Sequence, residues 1–224
     1  GTYKYDDFDK SGSSYTLKGN IPHYVSESNT QPGMPKYKDL NGDGVIDTND
    51  RTMIGRGLPI HTGGFTNNFE YKGFDLSVFF QWSYGNDVLN ATRLFFDSGF
   101  QKKRELNQYA SYTDRWTPEN PNSNIPAATN SSSNLVISSR VVEDASFLRL
   151  KTVTLGYTVP KTFLKKYKID NARLYVAAQN LWTITGYSGY DPEVSIRSGG
   201  LTPGLDFSSY PRALSVSFGI NLGF

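Results

Sequence analysis

The sequence has no cysteine and only two histidines among its 224 residues. The missing thiols exclude a disulfide framework, a thiolate metal site and a cysteine nucleophile. Lys and Arg total 23 against 21 Asp and Glu, and this near balance excludes a strongly basic nucleic-acid binder. No apolar run approaches the ~18–20 residues that a membrane-spanning helix needs. No charged leader followed by an apolar stretch opens the sequence at Gly1, so we expect a processed or truncated piece of a longer chain.

Glycine and aromatic residues are abundant instead, with 21 Gly, 15 Tyr and 14 Phe. This composition is typical of a β-protein with long loops rather than a helix bundle. From Leu214 to Phe224 large apolar residues alternate with small or polar ones, which places every large side chain on one face. A strand in a soluble sheet typically has ~5–6 residues, whereas a strand that crosses a bilayer needs ~9–11. A long edge strand of a soluble sheet is the alternative.

Four further strands are predicted at residues 65–71, 74–84, 147–159 and 172–185, and Thr2–Phe8 is expected to be the tail of one more. Lys72 and Gly73 separate the strands at 65–71 and 74–84, and this spacing predicts a two-residue β-hairpin turn. The strand at 147–159 alternates poorly because Arg149 and Lys151 share parity with apolar Val153. We therefore expect a β-bulge or a register change there.

The connections between the predicted strands alternate between short and long. The long ones cover residues 9–61, 86–146 and 186–212, lengths that compact soluble domains seldom leave without structure. Outer-membrane barrels have short periplasmic turns and long extracellular loops. Five or six strands cannot close a barrel, because the smallest closed barrels have ~8. Either the chain is the C-terminal part of a larger barrel, or the alternation belongs to a soluble protein. The predicted fold class is all-β: residues 1–224 supply antiparallel strands of the C-terminal portion of a large transmembrane β-barrel, about five or six strands with long extracellular loops, completed by further polypeptide.

Residues 39–50 carry the spacing of a calcium-binding loop inside a long extracellular loop. Acidic or amide side chains fall at loop positions 1, 3, 5, 9 and 12, with Gly44 at position 6 and apolar Ile46 at position 8. This pattern wraps oxygen atoms around a hard cation, and the apolar residue anchors the loop. A polar turn without metal is the alternative. The expected ligands of a structural Ca²⁺ are the side chains of Asp39, Asn41, Asp43 and Asp50, the carbonyl of Val45, and Asp47 directly or through water.

No arrangement of residues indicates catalysis, and we predict that the protein is not an enzyme. His23 and His61 lie outside any zinc-binding motif. Ser188 lacks the glycine spacing of a nucleophile elbow. Adjacent Glu143 and Asp144 are expected to point apart as solvated charges.

Three aromatic residues in polar loops are weak candidates for substrate binding: Trp116, Tyr187 and Tyr190. Aromatic faces stack on sugar rings or hold a peptide, but they also pack loops against one another or lie in the interfacial belt of a membrane protein. For any single one of the three, packing is the favoured interpretation.

Several motifs in order resemble one known family, and they lie at residues 36–47 with 50–52, 71–81 with 84–87, 139–144, 147–151 with 154–157, and 179–183 with 186–193. Together they resemble the carboxy-terminal region of the SusC/RagA-type TonB-linked outer-membrane transporters of Bacteroidetes. The resemblance covers most of the chain.

The resemblance implies a single-chain barrel in the outer membrane that contacts lipid and encloses an amino-terminal plug. Such a protein imports oligosaccharides or peptides under a SusD-type surface lipoprotein that acts as a lid. The TonB complex would act through the N-terminal part, which these residues do not contain, and no nucleic acid is expected as a partner. The alternative function is a soluble calcium-stabilised β-module for extracellular binding or scaffolding.

Overall fold

A computed structural model describes residues 1–24, 30–99, 107–129, 135–196 and 203–224. The chain divides into two compact units. The loop unit comprises Gly1–Ile54 and Asn90–Val142, and the sheet unit comprises Gly55–Leu89 and Glu143–Phe224. Among the described residues, no helix has both the length and the apolar character needed to span a membrane.

The chain is built mainly from strands, with a few short helical turns. The strands are β1 (Phe8–Ser11), β2 (Ser14–Leu17), β3 (His23–Tyr24), β4 (Val45–Ile46), β5 (His61–Tyr71), β6 (Phe74–Tyr84), β7 (Asp87–Asn90), β8 (Val142–Asp144), β9 (Phe147–Thr158), β10 (Asn171–Thr185), β11 (Leu205–Asp206) and β12 (Ser215–Gly223). The α-helices are α1 (Ala91–Phe96) and α2 (Lys161–Leu164), and 3₁₀ turns cover Tyr5–Asp7, Thr48–Asp50, Ala110–Asp114 and Lys165–Tyr167.

The sheet unit is dominated by five antiparallel strands in the order β12-β10-β9-β6-β5. These correspond to the five predicted strands. The first begins at His61 rather than residue 65, because Gly63 and Gly64 interrupt the apolar alternation while the ladder with β6 continues. Within the described part of the chain, β5 and β12 each pair on one side only. A smaller sheet has the order β11-β7-β8.

The register gives this sheet one apolar face and one polar face. Opposite residues on adjacent strands share a face, and one row across all five strands reads Phe218, Val176, Leu155, Leu76 and Phe69. The neighbouring row on the other face reads Ser217, Ala177, Thr154, Ser77 and Asn68. The apolar face is open to solvent, and Phe218 is 82% exposed.

Both local features predicted for these strands are confirmed. Lys72 and Gly73 have φ of 47° and 88°, the two positive values of a type I′ hairpin turn. In β9, Thr152 pairs with Phe79 and Leu150 with Phe80, so Lys151 is the extra residue of a bulge. Because of this extra residue, Leu150 before the bulge and Val153 after it both lie on the apolar face, opposite Phe80 and Val78.

The loop unit has a small apolar core of its own. β1 and β2 form a hairpin, β3 pairs in parallel with β4, and Tyr3, Phe8, Leu17 and Ile46 are buried together. The expectation of a strand at Thr2–Phe8 is wrong, because most of this segment is a bridge and a 3₁₀ turn before β1 begins at Phe8. The Asp7 carboxylate accepts the backbone N–H of Lys4 at 2.9 Å and stabilises that turn.

Candidate functional site

The loop at residues 39–50 folds around its own carboxylates. The two oxygens of Asp39 accept the backbone N–H groups of Gly42 at 2.6 Å and Gly44 at 2.8 Å. Gly42 and Gly44 have φ of 78° and 83°, which glycine adopts without strain. Asp43 accepts the N–H of Val45 at 2.8 Å. The loop therefore turns sharply about Asp39, the first position of the predicted calcium motif.

Asp50 closes the loop at its twelfth position. Its carboxylate accepts the N–H of Asp47 at 2.8 Å and that of Leu40 at 2.7 Å. These backbone hydrogen bonds stabilise the charged form and hold the pKa of Asp50 below its ordinary value. The two ends of the loop are thus joined through one ionised side chain.

Ile46 attaches the loop to the core, as its position in the motif predicts. Its side chain is buried with Tyr3, Phe8 and Leu17, and its strand pairs with His23–Tyr24. Among the residues described, no group of three or more Asp, Glu or His side chains is arranged to hold a metal ion. Calcium ligation by Asp39, Asn41, Asp43, Val45, Asp47 and Asp50 stays a prediction.

The polar residues considered for catalysis make local hydrogen bonds. His61 Nδ1 accepts the indole N–H of Trp82 at 3.1 Å. His23 Nδ1 lies 2.6 Å from the carbonyl oxygen of Tyr24. Ser188 donates its N–H and its Oγ–H to Glu143, both at 2.9 Å. Asp144 accepts the N–H of Ser146 at 2.8 Å and its hydroxyl at 2.6 Å. Glu143 and Asp144 thus bind different segments of the chain.

The three candidate aromatic residues have different surroundings. Trp116 is buried in the loop unit, against Gly33 and with its ring 5.4 Å from that of Tyr5. Tyr187 is buried in the sheet unit and donates its hydroxyl to Asp206 at 2.6 Å. Tyr190 is 81% exposed. Of the three, only Tyr190 presents its ring to solvent, and a substrate role for any of them stays a prediction.

A buried charge cluster that was not predicted from the sequence lies on the polar face of β9. Arg149 is 2% exposed, and its guanidinium donates to Asp191 at 2.5 Å, to Glu193 at 3.0 Å and to Thr183 at 2.9 Å. Lys151 also donates to Glu193, at 3.3 Å. The cluster fixes the segment after β10 against the sheet.

Asp191 is ionised in this cluster despite its burial. Burial opposes the charged form, but hydrogen bonds from Arg149 and from the N–H groups of Glu193 and Arg212 outweigh it, so the pKa of Asp191 lies below its ordinary value. The sequence did contain a signal for this cluster. Arg149 alternates in step with apolar Val153 in the predicted strand, which places a charged residue where an apolar one is expected. Its partner lies 42 residues away, a separation that no local spacing rule covers.

The apolar face carries aromatic rings towards both ends of its strands. At the end with the Lys72–Gly73 turn, here called the short-turn end, the rings of Phe74 and Tyr157 lie 4.6 Å apart. Towards the other end lie Trp82, Tyr84 and Trp182, each on the same face by register. Amphipathic aromatic rings favour the two interfaces of a membrane.

Known proteins similar to this chain are receptors and transporters. TonB-dependent receptor P3 of Formosa agariphila is 38% identical over 213 residues, which cover 92% of this chain and 21% of the relative. TonB-dependent receptor SusC of Bacteroides thetaiotaomicron is 28% identical over 89% of this chain and 18% of its own length. The solved RagAB peptide transporter matches 86% of this chain and 20% of its own with a TM-score of 0.69 and 29% identity. No family model matches.

The chain belongs to the SusC/RagA-type TonB-dependent receptors. The family and the fold class predicted from the sequence are thereby confirmed. The chain spans about a fifth of the length of the curated relatives it matches.

Proposed function

We propose that this chain forms the C-terminal part of the barrel of an outer-membrane nutrient importer driven by TonB. The observation that carries the proposal is the open apolar face, which extends across all five strands of the sheet. A contiguous exposed apolar surface of this kind marks a protein or membrane interface. Each large side chain on it gains about 1.5–3 kcal/mol on leaving water. The soluble-module alternative offers nothing to cover this face.

The strand length fits the thickness of a membrane. Phe74 and Tyr84 are the first and last residues of β6, ten steps apart, which is about 33 Å at ~3.3 Å per residue. A tilt of about 40° reduces this to about 25 Å, the height of the apolar band of outer-membrane barrels. The aromatic ends of the apolar face would then lie at the two interfaces, with the short-turn end in the periplasm.

The polar face would line the lumen through which substrate passes. We propose a peptide or an oligosaccharide as the substrate, a SusD-type lipoprotein as the lid, and the remainder of the receptor as barrel and plug. The relatives support this assignment, since one is the RagAB peptide transporter and another is SusC. Of the three candidate aromatic residues, Tyr190 is the exposed one and is proposed to meet the substrate.

A charge on each face tests the membrane assignment. Phe218→Asp in the full-length receptor would place a carboxylate in lipid, where charges near the midplane cost about 2–4 kcal/mol for Arg or Lys and less for Asp. We expect this variant to lose outer-membrane assembly, measured as heat-modifiable migration of membrane fractions.

Ser217→Asp is the matched control, because Ser217 is the neighbour of Phe218 in β12 and lies on the polar face. We expect it to assemble and to support uptake of the peptide or oligosaccharide on which the cells depend. Equal assembly of both variants would overturn the assignment of the faces.

We propose further that the loop at residues 39–50 binds one structural Ca²⁺. The spacing of its oxygens, the sharp turn about Asp39 and the buried anchor Ile46 support this. Its ligands would be the six residues predicted from the sequence, after rotation of side chains that now accept backbone N–H groups.

Calcium content tests this proposal. Full-length receptor with Asp39→Asn and Asp43→Asn should hold one ion fewer than the unmodified receptor after equilibration in about 10 mM Ca²⁺, since extracellular sites of this type bind at ~10⁻⁴–10⁻³ M. Asp9→Asn, in β1 and outside the loop, should leave the content unchanged. An unchanged content in the double variant would refute the site.

A further inference from the structure

The connection between β9 and β10, residues 159–170, is unusually basic and is called the basic turn below. It contains α2 and the 3₁₀ turn Lys165–Tyr167. Lys168, which follows the 3₁₀ turn, has a φ of 56°. Its four lysines all have exposed side chains: Lys161, Lys165, Lys166 and Lys168. Asp170 is its single acidic residue.

The basic turn lies at the edge of the apolar face. α2 packs against β10, and Leu164 is buried although its neighbours are exposed. Ala172 at the start of β10 stands on the apolar face, since it pairs with Leu222, and it is also buried while that face is otherwise open. The turn therefore covers the corner of the apolar face at the short-turn end.

Two large aromatic side chains of the basic turn point away from the protein. Phe163 is 70% exposed and Tyr167 is 67% exposed. Both rings are therefore open to solvent among the four exposed lysines. Aromatic rings flanked by lysines favour the boundary between hydrocarbon and headgroups.

A fifth lysine extends the positive charge along the same end of the sheet. The Thr158 N–H donates to the Gly73 carbonyl at 2.8 Å, which sets the basic turn beside the hairpin turn that carries exposed Lys72. Nearby Glu70 and Asp170 offset part of this charge, while Asp75 is paired with Arg173. The excess of cations suits an anionic surface.

We propose that the basic turn docks on anionic phospholipid headgroups in the periplasmic leaflet of the outer membrane. The inference rests on the proposed function, which sets the apolar face in lipid and the short-turn end in the periplasm. Phe163 and Tyr167 enter the boundary of the acyl chains, and the lysines bind phosphate groups above them. A lysine near an anionic lipid surface contributes about 1 kcal/mol, which is about fivefold in affinity.

Binding of lipids to the full-length receptor tests this proposal. The receptor is purified in detergent and titrated separately with phosphatidylglycerol and with zwitterionic phosphatidylethanolamine, and bound lipids are counted by native mass spectrometry. Lys165→Gln with Lys166→Gln should weaken phosphatidylglycerol binding at least fivefold and leave phosphatidylethanolamine binding unchanged. Lys165→Arg with Lys166→Arg should bind like the unmodified receptor.

Lys10→Gln with Lys38→Gln is the matched control, since both side chains are exposed in the loop unit. An equal loss of binding in this control, or no loss in the Lys165 and Lys166 pair, would overturn the proposal and indicate nonspecific charge or another partner. If the Gln pair fails to assemble, the single variant Lys161→Gln is measured against Lys10→Gln by the same criterion. Equal assembly of Phe218→Asp and Ser217→Asp refutes the proposed function instead, so the two failures are distinguishable.

Discussion

Gly156 determines how the polar face of the sheet is organised. It lies in β9 between Asp75 on β6 and Tyr175 on β10. Arg173 reaches across it and donates to Asp75 through Nε at 3.0 Å and through Nη2 at 2.5 Å. A Cβ at residue 156 would overlap both ion-pair partners. Because glycine has no side chain, the bidentate ion pair between Arg173 and Asp75 can cross the central strand β9.

Gly156→Ala should lower the stability of the full-length receptor by removing this ion pair. A glycine-to-alanine change in a strand otherwise raises stability by about 0.4–1 kcal/mol through the unfolded chain. Alanine should therefore lower the unfolding midpoint in the unmodified receptor and raise it in the Asp75→Asn, Arg173→Gln background. The measurement is the temperature at which heat-modifiable migration is lost.

A double-mutant cycle isolates the effect, because coupling between residue 156 and the ion pair appears as a departure from additive changes in stability. Gly186→Ala is the control, because nothing lies within 4 Å of a Cβ at that position, and it should behave alike in both backgrounds. If the stability changes caused by Gly156→Ala and by loss of the ion pair are additive, the glycine is not needed to accommodate the ion pair.

At the scale of the element, the strands were predictable because their information is local. Period-two alternation locates five strands, and the Lys72–Gly73 pair locates the turn between β5 and β6. The bulge at Lys151 was also foreseen, since Arg149 and Lys151 fall on the parity of Val153 and a single extra residue corrects it. The start of β5 at His61 was not predicted, because Gly63 and Gly64 have no side chains and so interrupt the apolar–polar alternation.

The loops were less predictable because their contacts are distant in sequence. Arg149 and Asp191 approach one another only when the segment after β10 folds onto the sheet. Trp116 is buried against Gly33 by a contact across more than eighty residues. Composition identified Trp116 as a loop aromatic residue, but only the tertiary structure gives its surroundings. The pattern at residues 39–50, in contrast, depends on residues close together in sequence. The turn at Gly44 and the buried anchor Ile46 could therefore be predicted from it.

At the scale of the whole molecule, the chain has two compact units with different sources of stability. The sheet unit has backbone hydrogen bonds that join five long strands and an apolar face that membrane lipid would cover. The loop unit has a small core of Tyr3, Phe8, Leu17 and Ile46. Residues 39–50 contain four aspartates: Asp39, Asp43, Asp47 and Asp50. The proposed calcium ion, bound to oxygens of this loop, would stabilise the loop unit specifically.

Removal of calcium from the full-length receptor should therefore loosen the loop unit alone. At about 10 mM Ca²⁺ and a dissociation constant of ~10⁻⁴–10⁻³ M, the proposed ion would contribute about 1.4–2.7 kcal/mol to the stability of the loop unit. Chelation should accelerate amide hydrogen exchange about ten- to hundredfold at Gly44, at Val45 and at His23, whose N–H donates to the Gly44 carbonyl at 3.1 Å. Amides of β9 and β10 should keep their protection, and the Asp39→Asn receptor should exchange at the same rate with and without Ca²⁺. If the amides of β9 lose protection equally, the ion stabilises both units and this prediction is wrong. If exchange at Gly44 does not change on chelation, calcium does not stabilise the loop.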